Sequence, residues 1–172
     1  APRGTAYHRV MELLDFAGRQ KYGNMQWLGG WLEEQVRHGR LEEEAAGCIR
    51  QADILEFLQC NSGKRMQEAA RKQKLYREQP FVLGVDAKEL YPEEEDGELI
   101  LIQGIIDAYF EEPDGLVVLD YKTDKVNNGK ELAEKYQEQL RYYAKALEQM
   151  SGKKVKEKII YSFTLKKEIY IE

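Results

Sequence analysis

The segment that most restricts this chain is Gly115-Leu-Val-Val-Leu-Asp-Tyr-Lys-Thr123. Four successive apolar residues run straight into Asp120, Tyr121 and Lys122. A short apolar run behind the turn signal Pro113-Asp114-Gly115 predicts a buried strand. Side chains alternate along a strand, so Asp120 and Lys122 share one face and Tyr121 takes the other. A carboxylate and an ammonium are thereby held side by side at the end of an apolar strand. Burying charge is costly without a partner or a metal, so the pair needs a reason to be there.

A second acid stands upstream in similar surroundings. Leu99-Ile-Leu-Ile-Gln-Gly-Ile-Ile-Asp-Ala-Tyr-Phe110 is rich in β-branched and aromatic residues and predicts another strand, with Asp107 its one charge. The short link from Glu111 to Gly115 predicts an antiparallel hairpin, which brings Asp107 near Asp120. Two adjacent carboxylates repel and raise each other's pKa unless a cation joins them. A divalent ion held by oxygen ligands removes the repulsion, and Mg2+ is the usual ion of phosphate chemistry.

The remaining elements divide the chain in two. Helices are predicted over Thr5 to Ala17, Met25 to Arg37 with Asn24 as cap, Leu41 to Gln59, and from a Ser62 cap to Gln73. Leu75 to Val85 then turns extended, with Pro80 marking an edge or bulge. Pro92 to Gly97 is an acidic loop, Lys130 to Met150 a long helix, and Val155 to Phe163 and Leu165 to Ile171 closing strands. The expected architecture is α/β: one domain over residues 1–172, a helical N-terminal half around a mixed central sheet flanked by helices.

Composition narrows the function classes. With 172 residues the chain is long enough for a real core, and 33% charged residues fit a soluble cytoplasmic protein. No run approaches a membrane span and no signal-peptide pattern opens it, so no membrane partner is expected. Two cysteines, Cys48 and Cys60, are too few for a four-thiolate cluster and suit a reducing compartment. A net charge of −5 argues against gripping nucleic acid by bulk electrostatics. The chain opens on Ala1 rather than Met, which reads as a fragment, and it carries no phosphate-cradling Walker loop, hence no ATP site.

Gly-Ile-Ile-Asp107, Leu-Asp120-Tyr-Lys122, and a helix carrying Gln139-Leu-Arg-Tyr-Tyr143 stand in the order found in the RecB-family nucleases of the PD-(D/E)xK superfamily. The chain resembles that family along nearly its whole length, and within it the C-terminal nuclease domains of the AddA type. Gly4-Thr-Ala-Tyr-His8-Arg-Val-Met-Glu12 is similar to the opening helix, and Arg77-Glu-Gln-Pro-Phe81 to the segment with a glutamate before Pro-Phe. The resemblance implies a restriction-endonuclease-like fold and Mg2+-dependent DNA hydrolysis, with Mn2+ able to substitute. It implies metal ligation by His8, Asp107, Asp120 and the backbone carbonyl of Tyr121. Lys122 would orient or activate the attacking water, Gln139 and Tyr143 would steady Lys122 or the phosphate, and Glu78 would be an auxiliary acid. The implied partners are DNA, fed as single strands, an N-terminal helicase region of the same chain, and an AddB-type subunit in recombinational repair of double-strand breaks.

Two other readings compete: a catalytically idle nuclease fold kept as a DNA-binding or scaffold module, and a stand-alone endonuclease of the same superfamily. Local features also have plain readings. Asp120 and Lys122 alone suit a solvated ion pair. Glu12, one turn beyond His8, is either an orienting partner or a solvated acid. The basic run Lys64, Arg65, Arg71, Lys72, Lys74 and Arg77 is by default a solvated face and more sharply a DNA-tracking or docking surface. Lys153, Lys154, Lys156 and Lys158 look like charges guarding an exposed strand edge. Trp27, Trp31, Tyr136, Leu140 and Leu147 read as helical core.

Overall fold

The computed structural model describes residues 2–18, 26–93 and 97–172. Helix α1 spans Pro2–Leu13, α2 Trp27–Arg37, α3 Glu43–Gly47, α4 Gln51–Gln59 and α5 Asn61–Arg71. Then follow β1 Leu75–Asp86, α6 Ala87–Leu90, β2 Leu99–Glu112, β3 Gly115–Lys122, α7 Gly129–Ser151, β4 Val155–Ser162 and β5 Lys167–Ile171. The strands form one mixed sheet in the order β1-β2-β3-β4-β5, the expected α/β architecture. All neighbours are antiparallel except β3 and β4, which run parallel with α7 as the crossover between them. Pro80 lies on edge strand β1, where a missing N–H costs no ladder bond.

Strand alternation divides the core between two layers. Val117, Leu119 and Tyr121 pack with α1, α4 and α5 on one face. Leu116 and Val118 pack with Leu132, Leu140, Tyr143 and Leu147 of α7 on the other. A buried strand of this kind contributes about 1.5–3 kcal/mol for each large apolar side chain removed from water, so both layers are needed to hold β3. Helix α7 is capped locally: Asn128 Oδ1 accepts from Glu131 N at 3.0 Å, while Glu131 Oε2 accepts from Asn127 N at 3.0 Å. It ends at Gly152, whose φ of 71° favours glycine.

Strands β1 and β2 change faces together. Leu75 packs in the helical layer but Phe81, Leu83 and Val85 pack against α7; likewise Ala108 and Phe110 differ from Ile106. Residues of one parity switch sides only across an irregularity. The register supplies it: Arg77 opposes Ala108 and Gln79 opposes Ile106, while Glu78 and Asp107 have no ladder partner. Glu78 adopts a φ of 51°, an uncommon backbone state for a non-glycine residue.

Several boundaries differ from expectation. Helix α1 starts earlier and stops at Leu13, because Asp15 Oδ1 accepts from Ala17 N at 3.1 Å and Arg77 Nη1 takes the carbonyls of Met11 and Leu14. The predicted helix over 41–59 breaks into α3 and α4, where Arg50 N donates to the Tyr7 hydroxyl at 3.1 Å. Ser62 does not cap α5. Cys60 does, its Sγ accepting from Gly63 N, and Ser62 donates its N–H and hydroxyl to Glu168. The short α6, capped by Asp86, is not expected from the sequence. The Asn24 cap lies outside the described residues. Trp27 and Trp31 pack against the helical core as expected.

The two groups of basic residues also resolve differently from their readings. β4 lies inside the sheet, so its lysines guard no edge. Lys153 pairs with Glu111 at 2.5 Å, and Lys156 pairs with Glu112 at 2.8 Å and with Asp114. Arg65 grips Glu112 and Glu157, Arg71 and Lys72 hold Glu68, and Lys74 lies 3.8 Å from Glu111. Most of the run from residue 64 to 77 is thus spent on internal acids.

Candidate active site

The last ladder pair between β2 and β3 is Ala108 with Leu119; beyond it the strands part. The Tyr121 N–H then has no backbone acceptor on β2. Asp107 supplies one, its Oδ2 accepting from Tyr121 N at 2.9 Å. On the opposite side Phe163 N donates to Lys122 O at 2.9 Å. Alternation along β3 therefore turns the Tyr121 carbonyl toward the gap where Asp107 sits. Asp107 and Asp120 come together at this gap, as the hairpin predicts, close enough for the charge of one to bear on the other.

His8 reaches the gap from α1. Its Nε2 lies 3.0 Å from Asp107 Oδ2, across 99 residues of sequence. Its Nδ1 lies 2.9 Å from the Gly4 carbonyl. A carbonyl only accepts, so Nδ1 carries a proton and Nε2 is the nitrogen aimed at the acid. Burial disfavours the imidazolium, but the hydrogen bond and charge of Asp107 outweigh it and push the His8 pKa up to about 9. Burial likewise opposes ionising Asp107, yet His8 holds it below the usual carboxylate range. Glu12 does not orient the ring; it pairs with Arg9 at 2.9 Å.

Asp120 and Lys122 project together toward α7, as the strand period requires. Asp120 is 2% exposed. Burial first, and the neighbouring Asp107 charge second, raise its pKa to about 8. Lys122 Nζ lies 2.8 Å from Asp120 Oδ2, in ion contact but off the hydrogen-bonding direction, so that buried oxygen has no directed hydrogen bond. The ammonium donates instead to Gln139 Oε1 at 3.0 Å and sits 4.0 Å above the Tyr136 ring. Tyr143, one turn after Gln139, packs edge-on against Phe81, and burial together with Asp120 and Asp107 raises its pKa.

A cleft of about 540 Å³ opens beside this cluster, lined by His8, Glu12, Glu78, Gly4 and Thr123 among others. Asp107, Asp120 and Lys122 are not on its wall; Asp107 touches it through His8, and Thr123, which follows Lys122, lines it. Glu78 reaches the same cleft at the kink in β1, and burial, then Asp107 and Glu12, raise its pKa.

Among the described residues no three His, Cys, Asp or Glu side chains form a ready-made metal cluster. The chemistry of the donors nevertheless fits a hard divalent ion: one imidazole nitrogen fixed by its far side, two carboxylates, and a buried Asp120 oxygen without a directed hydrogen bond. The proton shared by His8 and Asp107 occupies the place where a cation would compete.

A family model described as the PD-(D/E)XK nuclease superfamily matches residues 1–170. The chain belongs to the PD-(D/E)XK nuclease superfamily. Among curated relatives it is 38% identical over 99% of its length to a protein of Lachnoclostridium phytofermentans, named as the A-subunit of an ATP-dependent helicase/nuclease. It is 43% identical over 95% of its length to a protein of that name from Acetivibrio thermocellus, and 40% identical over 99% to one from Clostridium botulinum. It spans 13–15% of the length of these AddA relatives. Among its described residues no helix is long and apolar enough to cross a membrane.

Within this superfamily member every site residue expected from sequence lies in or beside one cluster. What sequence reasoning misses is the support. Tyr136 reads as core from its spacing, yet it carries the Lys122 ammonium and donates to Asp124 at 2.7 Å. Its separation from Gln139 and Tyr143, three residues and then four, places all three on one helical stripe, a signal available in the sequence. The Gly4 carbonyl, which fixes the His8 tautomer, leaves no such signal.

Proposed function

We propose that residues 1–172 form one nuclease domain that hydrolyses DNA phosphodiester bonds with Mg2+, the exonuclease module of an AddA-type helicase–nuclease. Mn2+ substitutes for Mg2+. Single strands arrive from a helicase region of the same chain, with an AddB-type protein as partner, in cytoplasmic repair of double-strand breaks by recombination. The observation that carries this reading is the placement of Lys122: an ammonium held by Asp120, Gln139 and Tyr136 beside the Asp107–His8 pair. A merely structural ion pair would not need three separate constraints on one amine.

His8, Asp107, Asp120 and the Tyr121 carbonyl would hold the ion. A divalent ion there acidifies water and offsets charge growing on the phosphoryl oxygens. Lys122 directs a point charge at the phosphate and at the attacking water. Gln139 and Tyr136 fix its direction, and Tyr143 walls the α7 side with an aromatic ring. Glu78 acts from the cleft as an auxiliary acid. Lys122→Met keeps side-chain length and removes the charge. Its turnover of single-stranded DNA in Mg2+ should fall about 100–1,000-fold, the usual cost of one preorganised electrostatic group. Full Mg2+-dependent activity in that variant would refute the assignment. Digesting a mixed-sequence plasmid separates the readings: a smear supports an unselective module, discrete bands an endonuclease.

A further inference from the structure

We propose that a second cavity, next to the cleft, binds a backbone phosphate of the DNA strand being cut, away from the bond that breaks. This rests on the nuclease reading and adds a strand-positioning subsite to it. The cavity holds about 300 Å³ and is lined by Arg3, Arg50, Lys125, Lys166, Asp53 and Thr164 among others. Its four cations come from four separate segments: the first turn of α1, the break between α3 and α4, the loop after β3, and the turn between β4 and β5. Among the described residues one carboxylate, Asp53, lines the cavity with them, in a chain whose net charge is −5. Local concentration of positive charge against the overall sign points to an anionic ligand.

The cavity is joined to the catalytic cluster by a shared wall. Arg3 Nη1 donates to Thr123 O at 3.1 Å and reaches Thr164 Oγ1 at 3.4 Å, and Thr164 Oγ1 donates to Thr123 O at 3.0 Å. Thr123 follows Lys122 and also lines the cleft. A strand crossing the α1 N-terminus at this wall would meet both sites. Asp53 is buried beneath the cavity; Oδ2 accepts from Tyr7 at 2.6 Å, while Oδ1 has no hydrogen bond and lies 3.8 Å from Lys166 Nζ. Among the described residues Arg50 and Lys125 have no carboxylate partner, in contrast with the neutralised run at 64–77. Exposed cations left free, around a cavity beside a phosphodiester-cleaving centre, fit the phosphates of a passing strand.

The test replaces Arg50, Lys125 and Lys166 by serine, together and singly; all three are exposed, and circular dichroism checks the fold. The probe is a fluorescent oligo(dT), titrated in EDTA across a range of salt. Losing three phosphate contacts should lower the slope of log K against log salt by about 2 and weaken binding about tenfold or more near physiological salt. In Mg2+ the KM for oligo(dT) should rise, while hydrolysis of bis(p-nitrophenyl) phosphate, too small to reach the cavity, stays unchanged. Unchanged affinity and slope in the folded triple variant would overturn the subsite, as would failure of the wild type to bind oligo(dT) at low salt. So would full displacement of oligo(dT) by inorganic phosphate at matched ionic strength, which marks a free-anion site. Salt-sensitive binding lost in the variant, without cleavage under any metal, would sustain the subsite and remove the nuclease reading instead.

Discussion

Replacing Asp120 with asparagine should make the metal-free protein more stable and the enzyme inactive. Asp120 is buried beside Asp107, and its pKa rises from 3.8 to about 8. Between those values the unfolded chain carries it ionised, while the folded protein keeps it protonated. The folded state therefore binds more protons, and its stability falls as pH climbs from about 4 to about 8. Asparagine removes that penalty and keeps the geometry, since its amide can donate toward Asp107 and its oxygen can face Lys122. One pKa unit is about 1.4 kcal/mol, and the gap spans roughly four units, a ceiling of about 6 kcal/mol. Relaxation around buried charge lowers the expected gain at pH 9 to about 2–3 kcal/mol. At pH 5, where roughly one unit remains above 3.8, it shrinks to about 1 kcal/mol. For a chain this size the pH 9 value is a rise in Tm of about 5–10 °C. Thermal unfolding in EDTA at pH 5, 7 and 9 reads the trend directly. Mg2+ or Mn2+ should then raise Tm of the wild type and not of the variant, because ligand binding stabilises only the fold that binds it. An Asp120→Asn protein melting below wild type at pH 9 in EDTA would refute the argument that this acid is held at a cost.

Gln139→Ala frees the Lys122 ammonium from one of its constraints, so kcat should fall about tenfold with little change in KM, the signature of lost positioning. Arg65→Ala should cost about 1 kcal/mol near neutral pH, since Arg65 and Glu112 are half-buried partners partly screened by solvent. Arg65 holds the Glu112 pKa at about 2, so the stability it confers is full above about 4.5 and lost as pH falls toward 2; the variant's acid-denaturation curve should lose that limb. Gly63→Ala should cost about 3 kcal/mol or more in urea unfolding, because a Cβ there would run into the Phe57 carbonyl oxygen and backbone must move.

Local chemistry makes much of this protein legible before any coordinates. The apolar run of β3, the long helical period of α7, and the turn at Pro113-Asp114-Gly115 each declare an element within a few residues. The same periods pair Asp120 with Lys122 and set Gln139 and Tyr143 on one stripe, and motif order supplies His8 and Asp107. The break between α3 and α4 is invisible in the sequence, because its cause is the Tyr7 hydroxyl 43 residues away. The lysines of β4 read as edge guards, since no local pattern says that β5 will add beyond it.

Sequence alone determined which acids, which amine and which strands this protein has, because side-chain alternation and helix capping act over a turn or two. Only the tertiary structure decided where β1 and β2 swap faces at Glu78 and Asp107, and so where the acids meet. It also decided which cations are neutralised and which remain free around the second cavity. Coulombic and hydrogen-bond partners are chosen in space, and a charge in a sequence does not announce whether its counter-ion will arrive.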